Sequence, residues 1–372
     1  MLKYITCGES HNQYLTAILE GLPSGLKIDV DAVNEDLRKR QHGYGRGPRM
    51  KIETDRIEIT GGFLNGKTTG SPLGLMIVND EVKIAELPQL NRPRPGHADL
   101  VGALKYDQGI REILERASAR ETAMRVAVGS VCRQLLKEFN IEIVSHITRI
   151  GKAAVDREPL SVKAIKKYIS DSTLNCVSSK VEKKMIDEIK KAEENGDTLG
   201  GEIEVVVSGM PLGVGSFVHH ERKLDALLAQ GLMSIQAIKA VQFGLGTDYA
   251  CIPGSSAHDE IFYSKRKGYF RKTNNAGGIE GGMSNGEEIV VRATMKPIAT
   301  LKKALRSVNM KTKKAMEANF ERSDVCAVTA CGVICETVVA EKLAFAFLEK
   351  FGGDSMREVR RNYVGYAEQI SE

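Results

Sequence analysis

The sequence predicts a mixed α/β fold of the α+β kind, not a Rossmann sheet, and three observations carry that expectation. Short apolar segments that alternate or run unbroken recur at 51–60, 73–78, 201–209 and 288–294, and a period of two marks strands. Longer stretches at 119–139 and 333–350 have helical composition and spacing. The two kinds interleave without the regular strand–helix alternation that winds a parallel sheet.

In chain order, residues 3–26 read as a strand, a polar turn at 7–12 and an apolar run. A short helix follows at 31–39, with Asp31 as its N-cap. Gly and Pro punctuate 41–49 too often for regular structure. Gly61-Gly62 turns between strands 51–60 and 73–78. Residues 91–99 form a stiff loop, because Pro93 and Pro95 fix φ and push Arg92 and Arg94 toward extended backbone. Ser118 with Glu121 three residues on makes a capping box for helix 119–139. Charged helices at 163–169 and 180–194, stopped by Asn195-Gly196, make an α+β excursion at about 155–200 within one domain spanning 1–372. Residues 224–233 and 235–243 read as helices ended by Gly244-Leu245-Gly246. Residues 261–274 read as a polar, mobile segment, and 275–286 as a glycine-rich one.

The 372 residues carry 53 Lys and Arg against 48 Asp and Glu, a net charge of +5. So small an excess argues against a dedicated nucleic-acid protein. Aromatic content of 5% without Trp argues against a stacking platform for single strands. The longest apolar region, 325–351, is broken by Glu336, Glu341 and Lys342, so no membrane span is expected. Seven Cys in so long a chain, behind a start without a signal-peptide pattern, fit reduced thiols in a cytoplasm.

Six constellations stand out. Arg38, Lys39, Arg40, Arg46, Arg49 and Lys51 concentrate positive charge with no acid between 38 and 51. A solvated face would explain the charge but not the interleaved Gly43, Gly45 and Gly47, whereas a bound polyanion would explain both. His97, in Arg94-Pro95-Gly96-His97-Ala98-Asp99, reads equally as a proton donor or as a surface histidine. His11 follows Ser10, but neighbours in an extended chain face apart, so the pair need not touch. Residues 277–286 could cradle a flat or phosphorylated ligand. Arg322-Ser323-Asp324 precedes a helix, where Ser323 or Asp324 could simply cap it. Cys326, Cys331 and Cys335 match no zinc or iron–sulfur spacing and read as small buried hydrophobes, so no metal site is expected.

Taken in order, these motifs resemble the chorismate synthase family. The resemblance runs from Gly8 nearly to the chain's end. It rests on Gly8-Glu9-Ser10-His11, the run Arg40 to Arg46, Thr69 to Gly74, Arg94 to Asp99, Arg116 to Thr122, Gly277 to Gly286, Lys296-Pro297 and Arg322-Ser323-Asp324. Asn12 stands where the family usually has Gly, and Cys331 where it usually has a small residue. The resemblance implies a β-α-β sandwich, a homotetramer, and a 1,4-elimination of phosphate and a proton from 5-enolpyruvylshikimate 3-phosphate. It implies reduced FMN with no net redox change, and NADPH or a separate flavin reductase as the source of reducing power.

Residue by residue, it implies His11 as donor to the leaving phosphate, His97 beside the flavin, and Asp324 in removal of the ring proton. Arg40, Arg46, Arg49, Arg94 and Arg120 would hold substrate anions, with Arg40 and Arg46 assigned to NADPH in some members. The flavin would take Arg116, Ala117, Ser118, Gln236, Ala237, Gly281, Lys296, Pro297, Ile298, Ala299, Thr300 and Arg322. Two other readings compete: a flavin reductase sharing the cofactor cradle, and an RNA-binding module built on 38–51.

Overall fold

The computed structural model describes residues 2–47, 54–266, 268–321 and 323–371. Strands β1 (Lys3–Cys7) and β2 (Tyr14–Glu20) pair antiparallel, and α1 (Val30–Gln41) follows. Strand β3 (Ile57–Gly61), the small hairpin β4 (Phe63–Leu64)–β5 (Lys67–Thr68) and β6 (Leu73–Val78) complete the first half. The first sheet runs β1-β2-β6-β3, antiparallel throughout. Its alternation is plain in β2 and β6. Leu15, Ala17, Leu19, Leu73, Leu75 and Ile77 are buried, while Tyr14, Ile18 and Val78 face outward.

Helices α2 (Asp99–Tyr106), α3 (Ile110–Ala117) and α4 (Thr122–Lys137) follow. The second sheet opens with β7 (Glu142–Ile150) and β8 (Ala153–Ala154). The excursion supplies α5 (Val162–Ile169) and α6 (Ser179–Glu194), each capped at its start by a serine side chain, Ser161 and Ser178. Then come β9 (Gly201–Ser208), α7 (Leu224–Met233), β10 (Ile238–Phe243), α8 (Gly254–Ala257), the hairpins β11 (Ile261–Ser264)–β12 (Gly268–Arg271) and β13 (Ile279–Glu280)–β14 (Met283–Ser284), and β15 (Ile289–Met295). A last hairpin, β16 (Arg306–Val308)–β17 (Ala315–Glu317), precedes α9 (Val328–Phe351) and α10 (Met356–Gln369). The second sheet is ordered β10-β15-β9-β7-β8.

The two sheets enclose a helical layer. Helix α4 packs on the first sheet and α9 on the second, and they cross each other at close range. Most of α9 is buried, so its apolar run marks an internal helix. No helix among the described residues is long and apolar enough to cross a membrane. On the second sheet, α9 covers the face bearing Ile147, Ile203 and Val205, while α5 sets Val162 and Ile165 against Val144 and Val206 on the other face.

Several expectations are corrected. The cap of α1 is Asp29, whose carboxylate accepts from the amides of Asp31 and Ala32. Strand β3 begins at Ile57; part of the expected strand, 51–53, lies outside the described residues. Ser118 does cap, accepting from the Arg120 amide, but it opens a 3₁₀ turn at Ala119–Glu121. Glu121 turns instead to the Thr6 hydroxyl at 3.0 Å, so the reciprocal half of a capping box is absent. Residues 235–243 are not a helix: Ala237 takes a left-handed φ of 70°, which ends helical winding, and pairing with β15 draws 238–243 into the sheet. Residues 261–274 form a hairpin whose facing rings, Tyr263 and Tyr269, lie 5.2 Å apart. Residues 61–68 spell a Gly-x-x-x-x-Gly-Lys-Thr pattern, which needs a following helix to bind phosphate. Here they make the β4–β5 hairpin, and the Thr68 hydroxyl donates to Pro23 O at 2.6 Å.

Gly129 sets the α4–α9 distance, because a Cβ there would lie 2.1 Å from Thr337 O. Gly129→Ala should therefore destabilise the chain by about 3 kcal/mol, the upper range for forced overpacking. Urea unfolding of the variant checks this.

Candidate active site

A cavity of about 810 Å³ opens between the helical layer and the loops that join the two sheets. Its wall draws on residues from Ser10 to Ile334, including His11, His97 and Asp324.

His11 reaches the wall through a turn that only glycine fits at position 8. Gly8 has φ +114°, and a Cβ there would lie 2.4 Å from Tyr14 O. The ring is then clamped by Glu115. Nδ1 lies 3.0 Å from each carboxylate oxygen, and the His11 amide donates to Oε2 at 2.9 Å. Burial disfavours the Glu115 charge, but the hydrogen bonds from His11 and the nearby Arg111 prevail and hold this carboxyl below its ordinary range. A carboxylate only accepts, so Nδ1 carries a proton and Nε2 is the nitrogen left for a ligand. Asn12 adopts no left-handed φ, so glycine is not required there; its amide donates to Glu9 at 2.7 Å.

His97 is held by the same chemistry. Its Nδ1 sits 2.5 Å from Asp99 Oδ1. Asp99 is fully buried and also accepts from Arg94 Nε at 2.8 Å and from the Arg94 amide at 3.0 Å. Burial opposes ionisation of Asp99, yet the Arg94 and His97 hydrogen bonds outweigh it and place this carboxyl far below its usual value. Arg94 also donates to Thr300 Oγ1 at 2.8 Å, so most of its donors hold the loop.

Two arginines share one acid. Arg40 donates to Asp55 Oδ2 at 3.3 Å and Arg120 to Oδ1 at 2.6 Å, with all three side chains almost wholly buried. Arg40 also meets Thr122 Oγ1 and Ala119 O, and Arg120 meets Asn79 Oδ1. Burial pulls Arg40 down to about 10, with the Arg120 charge adding to the effect and Asp55 opposing it. It remains cationic at neutral pH. Among the described residues Arg40, Arg120 and Asp55 thus set two guanidiniums beside one carboxylate in a dry wall, a setting suited to an anion.

Arg46 completes the cationic side. It lies 2.7 Å from Asp324 Oδ2, and the Gly47 amide donates to Asp324 Oδ1 at 2.5 Å. The basic run seen in the sequence thus divides. Arg38 pairs with Glu35 on the exposed side of α1, Lys39 lies 3.9 Å from Asp36, and Arg40 and Arg46 face the cavity. Arg49, Lys51 and Arg322 lie outside the described residues.

Apolar side chains also line the cavity, among them Leu114, Ile235, Ile298, Phe320 and Ile334. Ala117, Ser118, Ala237, Lys296, Ala299 and Thr300 also line the cavity. So does Gln236, whose Oε1 is buried without a hydrogen-bond partner while its amide donates to Glu121 at 3.3 Å. A flat ring presenting an N–H would satisfy that oxygen, so these residues fit a flavin.

Three expected flavin residues stand off the wall. Arg116 turns outward to Gly8 O at 3.0 Å and Thr6 O at 3.1 Å. Pro297 is exposed, and Gly281 lies at the exposed turn between β13 and β14. Sequence reasoning passed over Asp55 and Glu115 and did not give Asp99 a role of its own. Charge balance was the available signal, since buried Arg and His need acids.

Asp99→Asn should cost about 3 kcal/mol at pH 7, because it leaves Arg94 without its buried counter-charge. A carboxyl whose folded pKa is depressed stabilises fully above its unfolded value of about 4, and that contribution fades as pH falls toward the folded value. The gap between parent and variant in urea unfolding should therefore narrow between pH 5 and pH 3 (roughly the window the linkage sets).

Known proteins match this chain over nearly its whole length. A family model described as chorismate synthase matches residues 2–348. The chorismate synthase of Geobacter sulfurreducens is 52% identical, over 100% of this chain and 99% of its own. That of Alkaliphilus metalliredigens is 50% identical, over 98% and 99%. A crystal structure of chorismate synthase superimposes with a TM-score of 0.83 at 40% identity, covering 100% of this chain and 98% of that one. The chain belongs to the chorismate synthase family of lyases, which make chorismate from 5-enolpyruvylshikimate 3-phosphate by eliminating phosphate and a proton.

Proposed function

We propose that the cavity holds reduced FMN against 5-enolpyruvylshikimate 3-phosphate, that His11 and Asp324 handle the protons of the anti-1,4-elimination, and that His97 supports the reduced flavin. The observation that carries this reading is that all three line one cavity with Arg40, Arg46 and Arg120. The substrate bears a phosphate and two carboxylates, and the guanidiniums of Arg40, Arg46 and Arg120 in the cavity wall suit these anions. Gln236, Ala117, Ser118, Ala237, Lys296, Ile298, Ala299 and Thr300 would hold the flavin. When bound, the reduced flavin lends electron density that assists loss of phosphate, with no net redox change.

His11 gives a proton from Nε2 to the departing phosphate, and Glu115 fixes the ring for that transfer. His97, oriented by Asp99, holds its Nε2 toward the flavin. Asp324 takes part in removing the ring proton. Arg46 covers Asp324 Oδ2, so a substrate carboxylate that draws Arg46 away would uncover the base. Thr300 Oγ1 and Asp99 occupy most of the Arg94 donors, which makes Arg94 chiefly a brace for the His97 loop. The same reading makes the chain a cytoplasmic biosynthetic homotetramer, with NADPH or a separate reductase supplying reducing power. The outward apolar side chains of the first sheet, Ile5 at 69% and Ile18 at 52% exposure, support association of copies.

Anaerobic incubation with chemically reduced FMN and substrate should release phosphate and chorismate in equal amounts. Sustained NADPH oxidation without phosphate release would point to a flavin reductase and overturn the reading. His11→Ala and His97→Ala should each lower kcat by about 10²–10⁴-fold, the usual worth of positioned proton transfer, while circular dichroism stays unchanged. A near-normal rate in either removes that residue from the mechanism.

A further inference from the structure

From Lys296 to Met316 the chain carries seven cations, Lys296, Lys302, Lys303, Arg306, Lys311, Lys313 and Lys314, and no acid. All but Lys296 are exposed, and none of those six forms an ion pair with a described residue. This segment is an arm rooted in the cavity wall at both ends, for it leaves at Thr300 and returns at Phe320, and both line the cavity. Between those roots it folds as the β16–β17 hairpin. It is tied to the loop that carries His97: the Met310 amide donates to Asn91 O at 2.8 Å, the Asn319 amide to Arg92 O at 3.2 Å, and Ser307 Oγ to Pro93 O at 2.6 Å.

The tip is built against local preference. Lys311, Lys313 and Lys314 crowd one turn, which the Asn309 side chain closes by accepting from the Lys311 and Thr312 amides. Lys313 takes φ 61°, a left-handed position that glycine or asparagine would occupy with less strain. Like charges held together and a strained lysine lower stability, so they call for a counter-anion or a role in the field outside the cavity.

We propose that this arm is an electrostatic capture surface that draws phosphate- and carboxylate-bearing small molecules into the cavity. It rests on the anionic ligands proposed above. The lysines act at a distance and need touch neither ligand once it is seated, so they raise association rates and leave the chemical step alone. Their influence shrinks with salt, since the Debye length falls from about 30 Å at 0.01 M to about 3 Å at 1 M.

The test is stopped-flow association of two probes, FMN and 5-enolpyruvylshikimate 3-phosphate, with the full chain. The parent is compared with the triple variant Lys311→Gln, Lys313→Gln, Lys314→Gln. A control, Lys163→Gln, Lys166→Gln, Lys167→Gln, removes equal charge on α5, which lies across the second sheet from α9. At low salt the arm variant should associate about five-fold more slowly, a modest part of the 10–10³-fold that steering gives. The deficit should vanish by about 0.5 M salt, where screening is nearly complete. Dissociation rates and kcat should match the parent. Unchanged association, an equal loss in the α5 control, or a change confined to dissociation would each overturn the proposal. A parent that binds FMN in this salt-dependent way but releases no phosphate would instead remove the functional reading and leave the arm standing.

Discussion

The site depends on cationic side chains kept out of water. Arg40 and Arg120 converge on the carboxylate of Asp55, and the desolvation that lowers Arg40 to about 10 is the sign of what burying them costs. An isolated buried cation would be intolerable, and a fully paired one would have no reason to attract a ligand. The shared acid sits between these limits. It lets both guanidiniums be buried together at the cavity wall. Arg40 comes from α1, Arg120 from the turn before α4, and Asp55 from the approach to β3, so the first sheet and the helical layer must dock correctly before the three can meet.

The two histidines show how one device can serve two places. Each ring gives Nδ1 to a buried carboxylate, and both residues line the cavity. Their settings differ. Asp99 is already bonded by Arg94 along the guanidinium edge, whereas the guanidinium nearest Glu115, that of Arg111, stands 3.8 Å away. The division of labour that the family resemblance implies, with His11 as proton donor and His97 beside the flavin, is compatible with that difference in surroundings.

Much of this was legible in the amino acids. Period-two runs gave β6, β9 and β15 nearly to the residue, and helical composition gave α4, α5, α6 and α9. The errors came where distant partners decide. Residues 238–243 have no local reason to be extended until β15 offers an edge, and 261–274 looked loose because its ordering contacts are aromatic pairs across a hairpin. The cationic run at 38–51 was visible, but not that Arg38 belongs to solvent and Arg40 to the cavity, since that depends on which side of α1 packs. Arg94, His97, Arg46 and Asp324 stood out in the sequence by their loops. Asp55 and Glu115 did not, because a lone acid acquires meaning only from what the fold brings beside it.

Helix α9 lies at the centre of the sandwich, yet every strand of both sheets precedes it in the chain. During synthesis α4 can cover the first sheet, but the inner face of the second emerges from the ribosome without the helix that packs on it, and the contact at Gly129 that locks the two halves together has no partner until Thr337 arrives. Such a layout ties closure of the whole core to one late event. It makes the growing chain a natural client for chaperones that shield apolar surface, and it leaves the pocket incomplete in any nascent fragment that stops short of α9.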